Sequence, residues 1–181
     1  MQWLNEPLQW SQSGRQIIVR TSSQTDFWRI THYGFIRDTG HFYYERVATD
    51  CRVEVTIRGR YQDLYDQAGL MLRADEQNWI KTGIEYVDGI QHLSAVVTRN
   101  YSDWSFIPLP HPPEVLKLRL ERRGETVHIA YQDESLQYIP FRMAYFPALQ
   151  EIQVGIMCAS PQGKGYDVVF EDYQLCQQLD G

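Results

Sequence analysis

Apolar and polar residues alternate with a period of two through most of this chain, and no stretch sustains a helical period. A strand turns successive side chains to opposite faces, so this pattern specifies half-buried strands. Val53, Val55 and Ile57 face one way, while Arg52, Glu54, Thr56 and Arg58 face the other. Leu116, Leu118 and Leu120 oppose Lys117, Arg119 and Glu121 in the same manner. Arg15 to Thr21, Ala68 to Leu72, Trp79 to Val87, Leu93 to Val97, Ile152 to Cys158 and Tyr166 to Phe170 repeat the theme. Arg123-Gly124-Glu125 is a short turn signal leading into Thr126 to Gln132 as a hairpin partner. With two strands expected in the aromatic stretch Phe27 to Val47, the count reaches about a dozen at turn spacings of roughly 8–12 residues, the signature of a β-sandwich or barrel. No strand–helix alternation suggests a parallel sheet.

Two segments depart from this pattern. Asp103 to Pro113 holds Pro108, Pro110, Pro112 and Pro113 and is expected to be a stiff surface connection. Ser135 to Gln150, with Tyr138, Phe141, Tyr145 and Phe146, is expected to be a strand followed by an irregular covering loop.

A chain of 181 residues fits one domain spanning residues 1–181, and folding at that size buries about 70% of the extended surface. The net charge of −6, with bases and acids interspersed along strands, argues against a nucleic-acid partner. Cys51, Cys158 and Cys176 are too few and too widely spaced for a disulfide framework or a Cys-x-x-Cys metal site, so buried free thiols are expected. No run approaches the ~20 apolar residues of a membrane span, and Met1-Gln2-Trp3-Leu4 does not open a signal peptide. A cytoplasmic location is expected, and the Asn100-Tyr101-Ser102 sequon is expected to be accidental. Monomer and homodimer both remain open.

Longer motifs narrow the fold. They are Thr25-Asp26-Phe27-Trp28-Arg29, Thr31-His32-Tyr33-Gly34-Phe35, Gly40-His41-Phe42-Tyr43-Tyr44, Asp66 to Arg73, Asn78 to Glu85, and Ser102-Asp103-Trp104-Ser105. Together, over about Trp3 to Leu175, they resemble the DUF1349 or regulation-of-enolase protein family of the concanavalin A-like lectin and glucanase superfamily. The resemblance implies an all-β, two-sheet antiparallel jelly-roll sandwich. It implies little about function, since a fold does not settle one.

Two constellations could carry chemistry. In the first, Asp26 and Trp28 share a strand face, as do His41 and Tyr43. Trp and Tyr stack on sugar rings while offering a polar hydrogen. The competing reading makes Phe27, Phe35 and Phe42 core and the polar residues turn caps. The second is the face of Trp79, Lys81 and Glu85, with Arg73 on an adjacent strand. Lys81 and Glu85 lie roughly 13 Å apart along a regular strand, so each needs a partner from elsewhere, such as Arg73 or Arg99. Gly69 and Gly83 share these faces and permit close approach of a backbone or ligand; a β-bulge with an exposed charge pair is the competing reading. With Trp104 added, these residues form the candidate ligand site.

Catalytic motifs are weak. Retaining glycosidases need two carboxyls about 5–5.5 Å apart, and the Glu-x-Asp-x-(x)-Glu triplet usual in this superfamily's glucanases does not occur. His32, His41, Asp38 and Glu45 match no metal-ligand spacing, Gly163-Lys164-Gly165 is not a phosphate loop, and there is no nucleophile elbow. No metal and no cofactor is expected. The expectations rank as follows: a binding module for a saccharide, sugar phosphate or small metabolite; a regulatory protein-interaction domain; and an enzyme on a small carbohydrate using Glu85 or Asp26 as acid or base.

Overall fold

The computed structural model describes residues 1–48, 50–109 and 111–177. Its strands, numbered in chain order, build two seven-stranded antiparallel sheets. The first runs β1 (Gln2–Leu4), β6 (His41–Val47), β15 (Ile152–Ala159), β8 (Gln67–Arg73), β9 (Asn78–Val87), β10 (Ile90–Arg99), β11 (Tyr101–Pro108). The second runs β14 (Tyr138–Tyr145), β13 (Thr126–Gln132), β12 (Leu116–Arg123), β7 (Cys51–Gly59), β16 (Asp167–Cys176), β3 (Gln16–Arg20), β2 (Gln9–Ser13). A separate hairpin of β4 (Phe27–Arg29) and β5 (Ile36–Asp38) belongs to neither sheet. The described residues contain no helix, so none is long and apolar enough to cross a membrane.

The inner faces follow the alternation. Val53, Val55, Ile57, Leu116, Leu118 and Leu120 of the second sheet pack against Leu70, Leu72, Ile80, Ile84 and Ile156 of the first. Apolar area removed from water at this interface is the main favourable contribution to folding. A second cluster lies on the outer face of the first sheet, where Phe42, Met71, Trp79, Val96 and Met157 meet Phe27 and Trp28 of the β4–β5 hairpin. Strands β8 and β9 are therefore buried on both faces, including the positions that alternation assigns to the polar side.

Polar contacts fasten the hairpin. Arg73 donates to both carboxylate oxygens of Asp38 at 2.7 and 2.8 Å, in the bidentate geometry that suits guanidinium. Lys81 Nζ donates to the Phe27 carbonyl at 2.7 Å. Asn5 Nδ2 donates to the carbonyls of Asp38 and Gly40, tying the N-terminal segment to the same hairpin.

Some expectations change. Phe27 to Val47 contains three strands rather than two, because the hairpin splits the stretch before β6 begins. Asp103 to Pro108 belongs to edge strand β11 rather than a connection; among the described residues no strand pairs with its outer side, so a proline at its end breaks no ladder. Pro110 lies outside the described residues. Edge strands β1 and β2 had no clear signal, being short and mostly exposed. Ser135 to Gln150 is a strand, β14, followed by a loop that buries Phe146. Cys51 and Cys158 are buried free thiols, whereas Cys176 is exposed near the end of its strand.

His41 bridges segments of the chain. Its Nε2 accepts from the Ser22 amide at 2.9 Å, and its Nδ1 faces the Asn5 carbonyl. The first bond requires Nε2 to be unprotonated, and burial lowers the ring pKa. The native state then resists a proton that the unfolded chain accepts below about pH 6.5. This contribution is present above that pH and is lost as pH falls. Urea midpoints should drop between pH 7.5 and 5, and His41→Gln should flatten that dependence; an unchanged slope would remove His41 from the acid sensitivity.

Gly69 and Gly83 lie opposite each other in the β8–β9 ladder, with no bulge between them. A Cβ on Gly69 would run into the Thr82 carbonyl, and one on Gly83 into the Ala68 carbonyl. Backbone in two central strands cannot yield as a flexible side chain would. Gly83→Ala should therefore destabilise by about 1–3 kcal/mol or more, like other overpacked cores. In thermal unfolding, that is a loss of roughly 2–4 °C per kcal/mol.

Candidate functional site

A pocket opens where the β4–β5 hairpin overhangs β9 and β11. Its volume is about 100 Å³, small beside the roughly 300–1,000 Å³ of drug-sized ligand pockets and suited only to a small ligand. Lys81 and Glu85 rise from β9, two places either side of Gly83, and so share the sheet's outer face. Trp104 comes from β11, paired across the ladder from β10. Asp26 precedes β4, while Trp28 and Arg37 form a direct cross-strand pair in the hairpin. Tyr33 and Phe35 line the pocket from the hairpin turn, and Tyr65 and Gln67 from the start of β8 and the loop before it.

The walls are aromatic. Trp28 meets Tyr33 edge-on at 5.6 Å and Trp104 at 6.4 Å, and Tyr65 meets Trp104 at 6.2 Å. The Tyr33 and Tyr65 hydroxyls are 3.0 Å apart and close the circuit. That bond, with a smaller share from burial, pushes the Tyr65 phenol up to about 12. The turn carrying Tyr33 is strained: Ile30, a β-branched residue, has φ 62° and His32 has φ 65°. Bonds from Ile30 N to Phe35 O and from Gly34 N to Ile30 O hold it, as does Trp28 Nε1 donating to Thr31 O.

The floor is charged. Lys81 Nζ lies 3.3 Å from Asp26 Oδ1, which also accepts from the Phe27 amide at 2.8 Å. The side chain of Lys81 is 5% exposed and that of Asp26 14%. Glu85 Oε2 accepts from Ser94 Oγ at 2.7 Å and from Trp104 Nε1 at 2.8 Å. Burial raises the Glu85 pKa above the ordinary carboxylate range, against the opposing pull of Lys81. Among the described residues no protein group bonds the second oxygen of Asp26 or of Glu85, and both residues line the pocket. The site thus offers two acceptor oxygens and an ammonium beneath five aromatic side chains.

The sequence-derived site residues divide into three groups. Asp26, Trp28, Lys81, Glu85 and Trp104 come together in the pocket. Arg73 and Trp79 lie on the same sheet face but outside it: Arg73 is engaged by Asp38, and Trp79 is 1% exposed in the cluster under the hairpin. The expected partnership of Arg73 with Lys81 or Glu85 is corrected, since the hairpin supplies Asp26 and Asp38 instead. His41 and Tyr43 are on the other side of the sheet, because Phe42 and Tyr44 occupy the outer face of β6. His41 bridges backbone, and Tyr43 stacks on Trp3 at 4.6 Å. Phe27 and Phe42 are core, but Phe35 is 38% exposed at the pocket. Lys81 and Glu85 are buried rather than an exposed pair.

Sequence reasoning did not single out Tyr33, Arg37, Tyr65 or Gln67. Tyr33 and Gln67 stand inside the longer motifs, whereas Arg37 and Tyr65 reach the pocket only because the β4–β5 hairpin and the loop before β8 fold over the sheet. Among the described residues no group of three or more His, Cys, Asp or Glu is placed to hold a metal ion.

The comparisons with known proteins agree on one relationship. A family model described as a protein of unknown function (DUF1349) matches residues 3–178. Regulation of enolase protein 1 of Saccharomyces cerevisiae is 36% identical over 177 residues, covering 98% of this chain and 89% of that protein. The crystal structure of a functionally unknown protein from Saccharomyces cerevisiae matches with a TM-score of 0.94 and 35% identity, over 99% of this chain and 97% of that one. The carbohydrate-binding module CBM66 from Bacillus subtilis matches with a TM-score of 0.60 at 13% identity, over 96% and 94% of the two chains, a likeness of fold alone. The chain, an all-β sandwich of two antiparallel sheets, therefore belongs to the DUF1349 family, in the company of the yeast regulation of enolase protein.

Proposed function

We propose that this protein binds a small saccharide in the pocket between the β4–β5 hairpin and the outer face of the first sheet. The observation that carries this reading is the pairing of aromatic walls with a floor of unpartnered carboxylate oxygens around Lys81. A sugar has apolar C–H faces that pack on Trp and Tyr rings, and hydroxyls that donate to carboxylates and accept from an ammonium. The floor is held in place before any ligand arrives, by the Phe27 amide, Ser94 and Trp104, so little ordering cost remains on binding. The fold it shares with a carbohydrate-binding module adds weight to the reading. The buried free thiols of Cys51 and Cys158 suit a reducing compartment, and we place the protein in the cytoplasm.

Isothermal titration against a panel of mono- and disaccharides should give saturable binding with Kd of about 1 mM or tighter, equal to about −4 kcal/mol. Trp104→Ala and Tyr33→Ala should each weaken it about tenfold, the equivalent of roughly 1.4 kcal/mol for a lost ring contact. Saturation by no sugar in the panel, or equal affinity in both variants, would count decisively against the pocket.

Glu85 gives a second test, independent of ligand. A carboxyl whose pKa is raised by folding favours the native state while protonated. That contribution is full below the ordinary carboxylate pKa and is lost as pH rises through the raised value. Glu85→Gln keeps an oxygen to accept from Ser94 and Trp104 but cannot ionise. The variant should melt higher than the parent at pH 7.5 and converge with it near pH 4. A constant difference across that range would show that Glu85 ionisation carries no such cost.

A further inference from the structure

One charged side chain lining the pocket stands apart from the others. Asp26 and Lys81 face each other at 3.3 Å and compensate one another. Glu85 accepts from Ser94 Oγ and Trp104 Nε1 through one carboxyl oxygen. The remaining charged lining residue is Arg37, whose side chain makes no hydrogen bond or ion pair among the described residues and lies over the Phe35 ring, 5.5 Å from its centroid. Arg37 lies directly across the hairpin ladder from Trp28, and the two line the same pocket. Most other arginines along the strands behave differently: Arg46, Arg52, Arg58, Arg73 and Arg119 each reach a carboxylate. In a chain with a net charge of −6, an unpaired guanidinium at the rim of an aromatic pocket is an opening for an external anion.

We infer that the saccharide bound here is acidic, with a carboxylate or phosphate on the sugar engaged by Arg37 at the pocket mouth while its hydroxyls reach Asp26, Lys81 and Glu85. A planar guanidinium presents paired N–H donors that match two oxygens of either group. The inference rests on the pocket binding a sugar, and it names the class of sugar. Placing the anion at the rim also keeps it away from Asp26, while the hydroxylated ring occupies the part of the site walled by Trp28 and Trp104.

The test compares acidic sugars with their neutral parents on the intact protein: glucuronate and glucose 6-phosphate against glucose, and galacturonate against galactose. At low ionic strength at least one acidic sugar should bind about tenfold tighter than its parent, as expected for a charge-assisted hydrogen-bonded pair. Which pair shows the larger ratio tells carboxylate from phosphate. The ratio should shrink as salt rises to about 0.5 M, where screening shortens the reach of an exposed charge. In Arg37→Gln it should fall to near one, and in Arg37→Glu below one. Arg37 is exposed on a surface hairpin, so neither change removes core packing. Neutral sugars binding as well as acidic ones, or a ratio that survives in Arg37→Gln, overturns the acidic-ligand inference and leaves the saccharide pocket standing. Absence of binding by every sugar, neutral and acidic, overturns both.

Discussion

The architecture depends on how a short hairpin is clamped to the outer face of a sheet. Two cations that the sequence places on that face, Arg73 and Lys81, would be exposed in a bare sandwich. In the folded chain they are 7% and 5% exposed, and each is met by groups from the β4–β5 segment. Arg73 takes the Asp38 carboxylate bidentately, and Lys81 takes the Phe27 carbonyl together with Asp26. Buried charge is costly without partners, so neither cation can stay buried if the hairpin lifts away. The apolar counterpart is Phe27, which seats on the cluster containing Trp79 and Phe42. Packing and ion pairing thus stabilise the same docked position.

That docking makes the pocket. Without the hairpin, Lys81, Glu85 and Trp104 would be side chains on an open sheet. With it they become the floor and one wall of a recess whose other wall is Trp28, Tyr33 and Arg37. Partial exclusion of water alters their chemistry. The carboxyl of Glu85 is pushed up by desolvation, while its bonds from Ser94 and Trp104 act in the opposite direction. The close pairing of Gly69 with Gly83 lets β8 and β9 approach and leaves no side chain between Lys81 and Glu85. Electrostatic character and shape at this site are both consequences of a tertiary contact.

Much of this was legible in the sequence because its cause is local. Val53, Val55 and Ile57 announce an inner face, and they line the core; Gly124 marks the β12–β13 turn and adopts φ 56° there. Lys81, Glu85 and Trp104 stand at strand positions on the face away from the main core, and Asp26 and Trp28 lie in a motif beside them, at the start of the β4–β5 hairpin. The errors share one origin. Alternation puts His41 and Tyr43 on one face of β6, but which side of β6 faces outward is decided by pairing with β1 and β15. Trp79 satisfies the expectation of an aromatic on the correct face, and the hairpin covers it. Edge strand β11 was masked by prolines that an unpaired edge tolerates.

By itself, then, the sequence determined an all-β sandwich, the inner faces of its central strands, and the family to which it belongs. Those follow from side-chain periodicity and from long motifs, both carried by neighbouring residues. Tertiary structure alone decided which outer face is covered, which cations are buried, and that Arg37 stands unpaired beside Trp28 at a pocket mouth. The physical reason is separation along the chain. Arg73 and Asp38, or Lys81 and Asp26, meet across dozens of residues, and only closure of the fold selects those partners over the other charges present.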